Sequence, residues 1–193
     1  MWIRLLVIAG GVVMMITGCN SLISQFFGTH KLRTLDLTEA VSEGIADADF
    51  VRLQNLIVAE QYQIGDALHS TDKDIVVFPL LMPDQRDRKN SGQLIAIEYM
   101  GWSNVFDNNC HERKDCYDAT ANYVQGLVRP PNPKKTPSDS SWAEMGYAIS
   151  EDVRYLQVNR EPQAWYWNLL LFLGGIGLPL ALEYRAYVRK QNP

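Results

Sequence analysis

The sequence is poor in the residues that build metal and redox centres. Its 193 residues hold three cysteines and three histidines, His30, His69 and His111, too few and too scattered for a zinc ribbon or an iron–sulfur framework. It contains no GxxxxGK[ST] loop, no strand-led GxGxxG, no HExxH and no GxSxG elbow, so phosphate-cradling, dinucleotide, metalloprotease and serine-hydrolase chemistry have no carrier. The reading therefore favours a protein that is not an enzyme and takes no cofactor or metal. Positive charge is scarce as well. With 18 Lys plus Arg against 22 Asp plus Glu and a net charge of −4, the chain lacks the basic face that phosphates require, and nucleic acid is excluded as a partner. No internal repeat is visible.

Apolar residues are not scarce. They make up 47% of the chain, which excludes a disordered polymer, while a mean hydropathy of −0.17 excludes one that is mostly membrane-embedded. Charge is unevenly spread. Between Asn20 and Gln163, 14 Lys plus Arg stand against 21 Asp plus Glu, a net of −7. Outside that stretch, Arg4, Arg185, Arg189 and Lys190 face Glu183 alone, a net of +3. The basic ends also carry the longest apolar runs.

The run Ala164 to Leu182 is 19 residues without a charge. As a helix it spans roughly 28 Å, close to the roughly 30 Å hydrocarbon core of a bilayer. Trp165, Tyr166 and Trp167 stand at its start and Tyr184 beyond its end, where membrane-interface aromatics belong. Residues 164–184 are thus expected to form a transmembrane helix, with 185–193 as a basic cytoplasmic tail. Within it Gly174, Gly177 and Ala181 form a small-residue strip for close helix packing, and Pro179 is expected to kink the helix or loosen one of its hydrogen bonds.

The N-terminal run, Leu5 to Cys19, is 15 apolar residues after Arg4. That length suits a signal-peptide core better than a span. Its end, Ile16-Thr17-Gly18-Cys19, resembles the lipobox of bacterial lipoproteins, in which the Cys becomes the lipidated first residue of the mature chain. The resemblance covers about 20 residues and implies lipidation at Cys19. The other reading of residues 1–23 is an uncleaved signal anchor, whose Gly10 and Gly11 offer a surface to the Gly174/Gly177/Ala181 strip. Both readings put the main domain on the periplasmic or extracytoplasmic side of an inner (cytoplasmic) membrane.

Residues 24–163 make up that domain. Asp36 followed by Glu39 marks a helix start, and Gly44 a helix end. Strand patterns follow at Phe50 to Ala59, Asp74 to Leu81, Gln93 to Met100, Thr120 to Val128 and Val153 to Val158. Pro79 belongs on an edge or at a bulge, and Gly126 marks a bend. The expected fold is α+β, mainly β: a small antiparallel sandwich or partly closed barrel of about five strands with one or two short helices. Residues 129–141, with four Pro and two Lys, read as a loop.

Cys110 and Cys116 bracket "CHERKDC". In an oxidising compartment they are expected to close a short structural disulfide loop worth roughly 2 kcal/mol. Together these readings describe a membrane-tethered exported domain that serves as scaffold, assembly or accessory factor of a membrane complex, in contact with other membrane proteins or with itself. The alternatives are a thiol redox or metal-dependent factor acting through Cys110 and Cys116, and an accessory subunit of a transporter.

Overall fold

The structure is a computed structural model and describes residues 2–65, 74–106, 118–131 and 139–191. The chain divides into two units, residues 1–31 with 162–193, and residues 32–161. The first is a pair of long helices, α1 (Trp2–Phe27) and α5 (Trp165–Gln191). The second is the α+β unit, with β1 (Arg33–Asp36), α2 (Leu37–Ser42), β2 (Phe50–Gln54), β3 (Ile57–Val58), β4 (Gln63–Gly65), β5 (Asp74–Leu81), α3 (Pro83–Asn90), β6 (Ile95–Phe106), β7 (Tyr123–Val128), α4 (Asp139–Glu144) and β8 (Tyr147–Val158).

The sheet is open and has eight strands in the order β1-β2-β7-β8-β6-β5-β3, with β4 also on β5. It corrects the expected count of about five. It is also mixed, because β1–β2 and β6–β8 run parallel while the other pairs are antiparallel. The strands missing from the sequence reading are β1 and β4, of four and three residues, too short to show a period.

A second correction concerns Phe50 to Ala59, which is two strands rather than one. Asn55 takes a left-handed conformation (φ 54°), a state that Asn tolerates better than other residues with a Cβ, and its side-chain amide donates to Asp36 Oδ2 at 2.9 Å. The break has a large geometric consequence. Gln54 and Ile57 are three residues apart, so their Cα atoms lie within about 11 Å. In a flat sheet, five strand spacings would put β2 and β3 roughly 24 Å apart. The sheet must curl to bring them together.

Curling gives the sheet two differently filled faces. Leu53, Val58, Val76, Phe78, Leu80, Tyr99, Val124 and Leu156 pack with Leu37 and Ala40 of α2. On the other face Ile75, Val77, Leu81, Ile95, Ile97, Met100 and Trp102 pack with Trp142 of α4 and Tyr147. Strand β5 supplies both faces, which is why it reads as one continuous apolar run. Helix α2 starts as expected, with the Asp36 carboxylate accepting from Thr38 N at 2.8 Å. Gly44 (φ 80°) stands just past its end. Gly126, expected at a bend, lies inside β7, where a Cβ would sit 2.0 Å from Gln157 O of β8.

Candidate functional site

Two places concentrate polar or small residues against an otherwise apolar background. One is the seam of the helix pair and the other a cavity in the α+β unit.

Helix α1 is 26 residues long, about 39 Å at 1.5 Å per residue. The 15-residue apolar run looked short for a span, but the helix continues past it through Asn20 to Phe27. Helix α5 has 27 residues and carries on through Pro179. Both are long and apolar enough to cross a membrane. They pack along their length, and the only buried residues of α1 are Gly11 and Gly18. On α5 the buried positions, among those described, are Asn168 and Gly175. At each contact backbone meets backbone. A Cβ on Gly11 would lie 2.7 Å from Gly175 O, and one on Gly175 would lie 2.5 Å from Gly11 O and Met15 N. A Cβ on Gly18 would meet Asn168 O and Phe172 N at 2.6 Å.

Pro179 adds to this contact. Having no N–H, it leaves the carbonyl four residues back, that of Gly175, without its helical hydrogen bond. That carbonyl is the one aimed at Gly11. Helix backbones that approach this closely gain dispersion and Cα–H···O contacts.

Polar pairs close both ends of the seam. Arg4 Nη2 donates to both carboxylate oxygens of Glu183 at 2.8 Å. At the other end Gln25 Nε2 donates to Gln163 O at 3.0 Å, and Asn168 Nδ2 reaches Gln25 Oε1 at 3.4 Å. The half-exposed ion pair is worth at most about 1 kcal/mol, but it fixes which residues stand opposite one another.

The expected strip lies elsewhere on α5. A Cβ on Gly177 would meet nothing within 4 Å, and one on Gly174 only Met14 Cε at 3.5 Å. Ala181 is exposed. At 100° per residue Gly177 points about 200° away from Gly175. Gly11 joins the seam while Gly10 does not. Trp165, Tyr166 and Trp167 are exposed at the start of α5 and Tyr184 near its end. Cys19 is exposed in the middle of α1. Cys110 and Cys116 lie outside the described residues, as does most of the Pro-rich stretch.

The cavity lies where β3 and the residues after it meet α3 and the start of β8. It has a volume of about 140 Å³, and Ile57, Val58, Ala59 and Leu81 form its apolar wall. Glu60, Gln61, Arg86, Lys89, Asn90 and Tyr147 supply the polar side. Lys89 Nζ donates to Gln61 Oε1 and to the Tyr147 hydroxyl, each at 2.5 Å, and sits 3.7 Å from the Tyr147 ring centre. The Tyr147 hydroxyl donates in turn to Gln61 Oε1 at 2.8 Å. Glu60 and Arg86 approach to 3.7 Å.

Burial lowers the Lys89 ammonium below the ordinary lysine value, against a smaller upward pull from Glu60. Burial, with the Glu60 charge added, pushes the Tyr147 phenol up to about 12. Gln85 aims the helix that carries Arg86 and Lys89. Its Oε1 accepts from Met82 N at 2.9 Å and its Nε2 donates to Ala96 O of β6 at 3.0 Å. Sequence reading missed this cluster because its members come from three distant segments with no motif of their own. Among the described residues, no group of three or more His, Cys, Asp or Glu could hold a metal ion.

No family model, curated protein or solved structure matches this chain.

Proposed function

We propose that the chain is a membrane-tethered scaffold or accessory factor, held by two spans, with the α+β unit as its working part. The observation that carries this reading is the glycine seam. Lipobox processing at Cys19 would remove Gly11 and Gly18 and leave Gly175 without the backbone it meets. Retention of α1 gives both seam faces and the Arg4–Glu183 pair a purpose. In this reading Gly18 serves helix packing rather than signal cleavage.

The basic flanks favour a cytoplasmic side for both chain ends and an exported α+β unit. Trp165, Tyr166, Trp167 and Tyr184 would then stand at the two membrane interfaces. Of the Gly174/Gly177/Ala181 strip, Gly174 borders Met14 of α1, while Gly177 and Ala181 stay open and are the surface offered to a helix of another membrane protein. That arrangement suits an assembly or accessory role, including one beside a transporter.

Two measurements test the reading. The mature protein, extracted from membranes and weighed intact, is expected to begin at or next to Met1; a lipidated Cys19 at its start would overturn the two-span anchor. Protease applied outside intact inner membranes is expected to cut near Lys134. Full protection of that site would reverse the orientation.

A further inference from the structure

We propose that the cavity between β3, α3 and β8 binds a small carboxylic acid, its carboxylate held by Lys89 and Arg86 and its short apolar body against Ile57, Ala59 and Leu81. The proposal stands on the α+β unit alone and does not depend on the membrane reading.

Three observations carry it. First, the charge is unbalanced. Among the described residues, Lys89 and Arg86 bring two cations to the cavity and Glu60 one carboxylate. The direct partners of Lys89 are the neutral Gln61 amide and the neutral Tyr147 phenol. Glu60 stands 3.7 Å from Arg86, beyond hydrogen-bond length. A partly buried ammonium whose contacts are neutral gains most from an added anion.

Second, donors are in reserve. An ammonium has three N–H groups and Lys89 commits two; the Arg86 guanidinium has five, in a planar fork that matches a carboxylate. Tyr147 orients the amine through its hydroxyl and stays neutral at any ordinary pH.

Third, size and walls select within the anions. The cavity, about 140 Å³, admits only a few heavy atoms. The net surplus of one positive charge suits a monoanion better than a phosphate dianion. One wall is aliphatic, so a carboxylate with a short hydrocarbon body uses the whole space, and inorganic phosphate does not.

Butyrate is a suitable probe, tested on the full chain in mild detergent by saturation-transfer NMR and calorimetry. Six heavy atoms support an affinity of about 1 mM. Saturable butyrate binding is expected, with butylamine failing to compete and phosphate binding at least fivefold more weakly. Lys89→Met should weaken butyrate at least tenfold, and Lys89→Arg should restore part of the loss; thermal unfolding of each variant checks the fold. Binding should also fall as pH rises through the lowered titration of Lys89, before an ordinary lysine loses its proton. Among the described residues, Glu60, Arg86 and Tyr147 are the other charged or titratable groups facing the amine, and burial keeps the Tyr147 phenol neutral across that range. Absence of saturable binding, phosphate binding more tightly than butyrate, or unchanged affinity in a folded Lys89→Met protein would each overturn the proposal. So would tight binding of an acidic peptide where butyrate does not bind, because the occupant would then be a protein segment.

Discussion

Gly126→Val is expected to remove most of the stability of the α+β unit. Gly126 pairs with Val51 of β2 on one side and Val158 of β8 on the other. Its absent side chain is replaced by the neighbouring backbone: a Cβ would stand 2.0 Å from Gln157 O and 2.7 Å from Gln157 C. No rotamer change relieves a clash with a ladder carbonyl. The β7–β8 pairing covers only Gly126, Leu127 and Val128, so pushing the strands apart there loses the whole pairing and opens the core beside Val124 and Leu156. A loss of about 4 kcal/mol or more is expected, against a total of roughly 5–15 kcal/mol for a domain. Chemical denaturation followed by tryptophan fluorescence would show it as a large drop in the midpoint or as absence of a folded state. Gly101→Ala provides the contrast. The nearest obstacle there is the Phe78 ring, at 2.3 Å; a side chain can move where a ladder carbonyl cannot, so the cost should be smaller. A Gly126→Val protein with a normal midpoint would mean that β7 and β8 do not approach as described.

How much of this was legible in the sequence depended on how local each signal is. Strand β5 was readable to the residue, because burial on both faces leaves an unbroken apolar run from Ile75 to Leu81. Even its proline makes sense. Pro79 O accepts from Ala59 N on the outer side of β5, so its missing N–H faces that same side. There the neighbour is split, with β3 opposite Leu80 and Leu81 and β4 opposite Ile75 to Val77, and Pro79 falls in the gap. Asn55 hid the division of β2 from β3, since nothing in "RLQNLIV" announces a left-handed residue. The curl that follows from that break was equally hidden. The polar cavity is the extreme case: Gln61, Lys89 and Tyr147 meet only once the sheet is assembled.

The two apolar ends were legible because a helix long and apolar enough to cross a membrane shows in length and composition alone, whatever it packs against. Which face of α5 packs was not legible, because its small residues lie on two faces. Gly174, Gly177 and Ala181 form one strip, while Gly175 sits on the other with Asn168 and Phe172 for neighbours. The choice is settled by α1, where Gly11 and Gly18 stand seven residues apart, two turns along one face. Polar Ser21 and Gln25 continue that face.

The two strips make opposite predictions. Gly175→Leu places a side chain where Gly11 O and Met15 N already stand at 2.5 Å, and Gly18→Leu does the same against Asn168 O and Phe172 N. Either change should force α1 and α5 apart, with a cost of about 1–3 kcal/mol for the overpacking and further loss of the contacts beyond it. Membrane insertion should survive, because apolar length is unchanged. Gly177→Leu, with nothing within 4 Å of its Cβ, should leave the pair intact. Heating the three variants in mild detergent, with bismaleimide crosslinking between cysteines placed at Met14 and Gly174, reads both effects. The Gly18 and Gly175 variants should lose crosslinking and melt earlier, while the Gly177 variant matches the parent on both counts. If it also fails to recover a detergent-stable partner that the parent recovers, the outward strip is where that partner binds. The reverse pattern, with Gly177→Leu breaking the crosslink and Gly175→Leu sparing it, would place the α1 contact on the other face of α5.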